Sequence, residues 1–250
     1  MRKAVRVTTE LVGACEVYTL QPRTAPSGRV VLYLHGGAYC RPIAKQHWSF
    51  LQWLVGEEGC TVIVPLYPLA PESSCLDTVR AVQDVHAWLL ECHGRADAFM
   101  GDSAGGGLCL ALCQELRAAG EALPGRIALI TPWVDVTLMH PGIEATERRD
   151  PMLAVSGARE AGRLYADALG MEHPLVSPLR ADLRALPSML LLAGTDDILH
   201  HDAVALADKA RASGCSVELH LATGMIHVWP LLPLPEAIEA RHLISQFLKR

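Results

Sequence analysis

From position 30 onward the apolar residues of this chain fall in short unbroken blocks rather than in strict alternation, beginning with Val30-Val31-Leu32-Tyr33-Leu34. A continuous apolar run of this length, bounded by turn residues, marks a strand buried on both faces, as in parallel sheets covered by helices. On this pattern, strands are predicted at 30–34, 61–65, 97–100, 127–130, 189–193 and 217–221. The stretches 47–57, 77–92, 104–119, 203–213 and 235–248 between and after them read as helices. Two β-prone runs, 11–14 and 16–20, come first and end in the turn Pro26-Ser27-Gly28. The alternation predicts an α/β fold with a mostly parallel central sheet and helices on both faces, one domain over 1–250. One stretch breaks the rhythm. Residues 131–187 separate two strands by more than a simple loop needs, and 156–169 within them has helical character. That insertion is expected to form a lid or pocket wall.

Composition narrows the classes. A chain of 250 residues buries roughly 70–75% of its unfolded surface, enough for a large core without staples. Half the residues are apolar and a net charge of −5 argues against nucleic-acid binding. The N-terminal stretch Met1-Arg2-Lys3-Ala4-Val5-Arg6-Val7-Thr8 has no apolar signal-peptide core, and no window is long and apolar enough to span a membrane. Eight cysteines, at 15, 40, 60, 75, 92, 109, 113 and 215, contain no C-x-x-C pair and read as free buried thiols, not as a metal site or disulfide frame. The expectation is a cytoplasmic protein without metal or cofactor, membrane or nucleic-acid partner.

Two glycine-rich segments carry the candidate chemistry. Gly101-Asp102-Ser103-Ala104-Gly105 follows the apolar Ala98-Phe99-Met100 and precedes a helical run, which is the context of a G-x-S-x-G elbow. A sharp strand-to-helix turn forces the serine into an unfavourable backbone region and demands small neighbours. It also exposes the hydroxyl at a helix N-terminus, where N–H groups favour developing negative charge. His35-Gly36-Gly37-Ala38 follows the strand at 30–34, and its paired glycines let backbone amides approach a substrate oxygen.

A serine hydroxyl needs a general base, itself oriented by a carboxylate. In the order serine, acid, histidine, His227 fits the base: it follows a strand and a Gly224 loop and precedes the last helix. Of the other downstream histidines, His140 and His173 fall in the insertion, His200 and His201 open a helix, and His242 is inside one. Asp196 and Asp197 stand together just past a strand end. Adjacent side chains point in different directions, so one can reach the imidazole while the other caps the following helix. Asp102 is set aside because its side chain should point away from the nucleophile, and Asp135 reads as a loop organiser. Tyr39, Trp133 and Trp229 flank the proposed catalytic segments and are candidate pocket walls.

At these residues the chain resembles the hormone-sensitive-lipase-like group of α/β-hydrolase-fold esterases. The match runs through His35-Gly36-Gly37-Ala38, Tyr67-Pro68-Leu69-Ala70-Pro71-Glu72, Gly101-Asp102-Ser103-Ala104-Gly105-Gly106, Gly194-Thr195-Asp196-Asp197-Ile198-Leu199 and Gly224-Met225-Ile226-His227. The resemblance implies Ser103 as nucleophile, His227 as base and Asp197 as acid. It assigns the oxyanion hole to the N–H groups of Gly36, Gly37 and Ala104. Pro68 stands where the group often has arginine, and Ala38 replaces a third glycine. The group's helical cap precedes the His-Gly-Gly segment; here the early strands occupy that space, implying a shortened cap.

The activity implied is hydrolysis of small, short-acyl carboxylic esters through an acyl-enzyme. Arylformamidase or other amide cleavage, and lactone hydrolysis, use the same chemistry. A non-catalytic small-molecule binder of this fold would have lost a triad member, and Ser103, Asp197 and His227 are all retained.

Overall fold

The computed structural model describes residues 5–250; residues 1–4, which open the stretch read above for a signal peptide, lie outside it. Eight strands form one sheet in the order β1-β2-β4-β3-β5-β6-β7-β8. They are β1 (Val5–Val12), β2 (Cys15–Pro22), β3 (Val30–Leu34), β4 (Thr61–Leu66), β5 (Ala98–Asp102), β6 (Arg126–Ile130), β7 (Ser188–Gly194) and β8 (Val217–Ala222). Strand β2 is antiparallel to both neighbours, and β3 to β8 pair in parallel.

The parallel strands read correctly because both faces are covered. Val31 and Tyr33 pack with Phe50, Leu51 and Leu54 of α1 (Lys45–Glu58) and Ile244 and Phe247 of α7 (Glu236–Leu248). Leu32 and Leu34 face the other way, toward α2 (Cys75–His93), α3 (Ala104–Ala119) and α6 (His200–Ala212). Every residue of β3 and β5 is buried, so neither strand shows the alternation of a half-exposed sheet. Each large apolar side chain so enclosed contributes about 1.5–3 kcal/mol. Strand β1 is the exception. It spans Val5–Val12, upstream of the expected run at 11–14, and the residues at 13–14 form the hairpin turn instead. As an edge strand with no buried residue, it has no apolar block to betray it.

The sheet order places the site. From β3 the chain crosses through α1 to β4 on one side, then returns through α2 to β5 on the other. Strand order therefore reverses between β3 and β5, where ligands bind in open α/β sheets. The register Leu34↔Gly101 sets the ends of these two strands side by side, so His35-Gly36-Gly37 and the Ser103 turn emerge together.

Between β6 and β7 the chain forms two helices, α4 (Ile143–Glu147) and α5 (Val155–Ala166), then single 3-10 turns at Asp167–Leu169 and Pro178–Arg180. The expected helical stretch at 156–169 is thus α5 plus a turn, while α4 is too short to leave a periodic signal. Asp135 organises this segment, accepting from Thr137 N–H and Oγ1, Ser177 Oγ and Arg180. No helix among the described residues is long and apolar enough to cross a membrane.

Candidate active site

Ser103 sits between β5 and α3 at φ 50°, ψ −121°, a conformation that side-chain-bearing residues avoid. The turn is held from β6: Ser103 N–H donates to Ile130 O at 2.9 Å, and Trp133 N–H donates to Ser103 O at 2.8 Å. Gly105 makes the geometry possible, since a Cβ there would run into the backbone carbonyl of Leu34. Helix α3 therefore begins pressed against the end of β3.

Asp197 and His227 approach from the ends of β7 and β8, which are in register through Gly194↔Ala222. The two loops are tied together: Asp196 N–H donates to Met225 O at 3.0 Å and Gly224 N–H to Thr195 Oγ1 at 2.8 Å. His227 Nδ1 lies 2.8 Å from Asp197 Oδ2, and Asp197 Oδ1 accepts Leu199 N–H. With Nδ1–H donated to the carboxylate, Nε2 is the ring nitrogen left to accept a proton. Thr131, next to Ile130, receives Val228 N–H on Oγ1 at 3.3 Å, so the tip of β6 braces both the serine turn and the histidine loop. Burial alone lowers the imidazole pKa. The charge and hydrogen bond of Asp197, reinforced by Asp102 and Asp150, outweigh it and leave the pKa above the ordinary 6.5.

The β6–β7 segment reaches the acid loop as well. Arg149 Nε donates to Asp196 Oδ1 at 3.0 Å, and Asp150 Oδ2 accepts Ile198 N–H at 3.0 Å. Asp196 is therefore engaged with Arg149 rather than capping a helix.

The loop after β3 differs from the expectation in one respect. Gly36 N–H donates to Asp102 Oδ1 at 3.0 Å and is not free to hold a substrate oxygen. The N–H groups that follow it, of Gly37, Ala38 and Tyr39, have no acceptor among the described residues. The loop turns there through positive φ at Gly37, Ala38 and Tyr39 (133°, 54° and 60°). The overlooked signal was Asp102 itself, because a carboxylate buried beside the serine must find donors nearby.

All three candidate pocket aromatics are buried. Tyr39 and Trp133 are 1% and 2% exposed. Tyr39 stacks on Tyr165 of α5 at 3.6 Å between ring centres and on Trp133 at 5.8 Å. These rings pack the core under the loop instead of lining it. Trp229 belongs to the opposite face of the sheet, where it borders a groove of about 440 Å³ between β8 and α7 with Leu192, His220, Met225 and Leu243. The left-handed turn at Val228 sends it there. Sequence reasoning missed Tyr165, whose stacking partner is remote in the chain, and His47, considered below. His201, at the start of α6, stacks on His140 and lies against His200.

Residues 31–231 match the family described as alpha/beta hydrolase fold. The chain is 33% identical over 244 residues to an acetyl-hydrolase of Streptomyces hygroscopicus, covering 95% of this chain and 81% of that protein. An esterase of Acinetobacter venetianus is 30% identical, covering 89% and 75%. The crystal structure of an esterase from the bacterial hormone-sensitive lipase family superposes with a TM-score of 0.93 at 32% identity, covering 98% of this chain and 84% of that one. The chain belongs to the alpha/beta hydrolase fold family and, within it, to the hormone-sensitive-lipase-like group.

Proposed function

We propose that this protein is a serine carboxylic-ester hydrolase with Ser103 as nucleophile, His227 as general base and Asp197 as the residue that orients it. The observation that carries the reading is the buried 2.8 Å His227–Asp197 pair, braced on the same strand tip as the strained Ser103 turn. Ser103 Oγ attacks the ester carbonyl as His227 Nε2 takes its proton. The tetrahedral oxyanion is held by the N–H groups of Gly37 and Ala38 together with that of Ala104 at the start of α3. His227 returns the proton to the departing alcohol, leaving an acyl-serine. Water, deprotonated by His227, then releases the acid and restores Ser103.

Small esters with short acyl groups fit best. The Tyr39–Tyr165–Trp133 stack fills the space under the loop, and the acetyl-hydrolase relative is named for a two-carbon acyl group. A buried CH₂ adds about 0.8 kcal/mol of binding only where a wall covers it. Turnover of p-nitrophenyl esters should be highest at about two to six acyl carbons and fall steeply by about twelve. Parallel assays with an amide and a lactone test the ester preference. Faster cleavage of emulsified long-chain triglycerides than of soluble short esters would overturn the short-acyl reading.

A further inference from the structure

A second histidine–carboxylate pair lies behind the serine, and nothing in the reaction above uses it. Asp102 immediately precedes Ser103 and is 1% exposed. Its Oδ1 accepts from Tyr33 Oη at 2.5 Å and from Gly36 N–H at 3.0 Å, and its Oδ2 faces His47 Nε2 at 3.1 Å. His47 is itself buried, and its Nδ1 accepts Ala44 N–H at 3.0 Å. A ring nitrogen that accepts carries no proton, so the Nε2 hydrogen points at Asp102. A Cβ at position 36 would collide with the same carboxylate.

Enclosing a carboxylate this deeply is costly, and an apolar group of the same shape is often the more stabilising choice. Here the burial penalty is offset by three donors, which together hold the Asp102 carboxyl below the ordinary carboxylate range despite its burial. One of the three is the first N–H of the oxyanion loop. Holding it backward fixes the direction of the peptide that follows, where the N–H groups of Gly37 and Ala38 are unengaged.

We propose that Asp102, aligned by His47, is the positioning residue of the oxyanion loop. By taking Gly36 N–H out of the site, it keeps Gly37 and Ala38 N–H turned toward the substrate oxygen. Tyr33 and His47 fix the carboxylate in turn, so the loop is set from β3, β5 and α1 at once. This assignment rests on the serine-hydrolase reading. It predicts a defect confined to the transition state, because these donors act fully only on the charged oxygen.

The test uses Asp102→Asn, His47→Phe and His47→Gln, with circular dichroism and thermal melts to confirm folding. Asp102→Asn should lower kcat about 10²-fold, the scale of losing one oxyanion donor, with KM within about threefold. Affinity for a phenylboronic acid, which adds to Ser103 as a tetrahedral anion, should fall by the same factor, while an unreactive ether analogue binds unchanged. His47→Phe should fall about tenfold in kcat. His47→Gln, which can still donate to Asp102, should recover most of that loss. Asp197, Asp102 and Asp150 are the charged groups facing His227, so Asp102→Asn should also move the acidic limb of kcat/KM to lower pH. A folded Asp102→Asn with unaltered kcat, or one altered only in KM, would overturn the proposal. So would failure of all three variants to fold, which would make the pair a brace of the fold alone. If the wild-type protein neither turns over esters nor binds the boronate, it is the serine-hydrolase reading that fails.

Discussion

Asp196 and Asp197 are neighbours in the chain with opposite allegiances: Asp197 is fully buried against His227, while Asp196 is partly exposed and paired with Arg149. Only Asp197 can hold the imidazole with Nε2 free. Asp197→Asn should therefore lower kcat on the order of 10³–10⁴-fold, and Asp196→Asn less than about tenfold. Steady-state kinetics of the two variants decide it, and the reverse ranking would move the acid to Asp196.

Ser103→Ala should reduce kcat on the order of 10⁴–10⁶-fold. The serine backbone is at φ 50° whatever its side chain, and the turn is held by bonds to Ile130 and Trp133 backbone atoms. Thermal stability should accordingly be close to wild type, and labelling by a fluorophosphonate should vanish. A variant that keeps a tenth of the esterase rate would exclude Ser103 as nucleophile.

His227 accepts a proton only when neutral, and the surrounding carboxylates hold its pKa above 6.5. The pH–rate profile of kcat/KM should fall toward acid with a midpoint above that value, because a raised pKa keeps the imidazole protonated to higher pH. A profile flat from pH 5 to 8 would rule out this base.

Asp202, on α6, is buried with Oδ2 lacking any hydrogen-bond partner among the described residues. Burial first, and then the charge of Asp135, push its carboxyl up to about 7 from an ordinary 3.8. The folded state thus holds a proton that the unfolded chain releases, so stability from this site is present at low pH and lost as pH rises from about 4 to 7. Asp202→Asn should melt higher than wild type at pH 8, each 1 kcal/mol amounting to roughly 2–4 °C, with the gap closing by pH 4. Melting curves at the two pH values that show equal gaps would contradict this account.

The central strands were legible because burial on both faces writes an apolar block. Ser103, Asp197 and His227 could be put forward as candidates because each stands in a short motif at a strand end, and the structure brings Asp197 and His227 to 2.8 Å. Strand β1 was misplaced because an edge strand buries nothing that patterning can detect. The engagement of Gly36 N–H was not legible because the partner that occupies it comes from β5, across a strand pairing that linear spacing does not reveal. The same distance hid the Tyr39–Tyr165 stack, and spacing could not show that Trp229, after the left-handed Val228, packs with Val31 and Tyr33.

The tip of β6 serves as a gauge block between the Ser103 turn and the His227 loop. Ile130 O and Thr131 Oγ1, on consecutive residues, fix the serine turn and the histidine loop, and Trp133 N–H makes the last contact before the chain departs toward α4. The segment beyond that point touches the acid loop through Arg149 and Asp150, and the loop after β3 through Tyr165, which stacks on Tyr39. That segment is a replaceable cartridge where these three side chains are kept. An exchange with a relative whose seam falls after Trp133 and which preserves those three side chains should change which molecules enter while leaving Ser103 and His227 at their native separation.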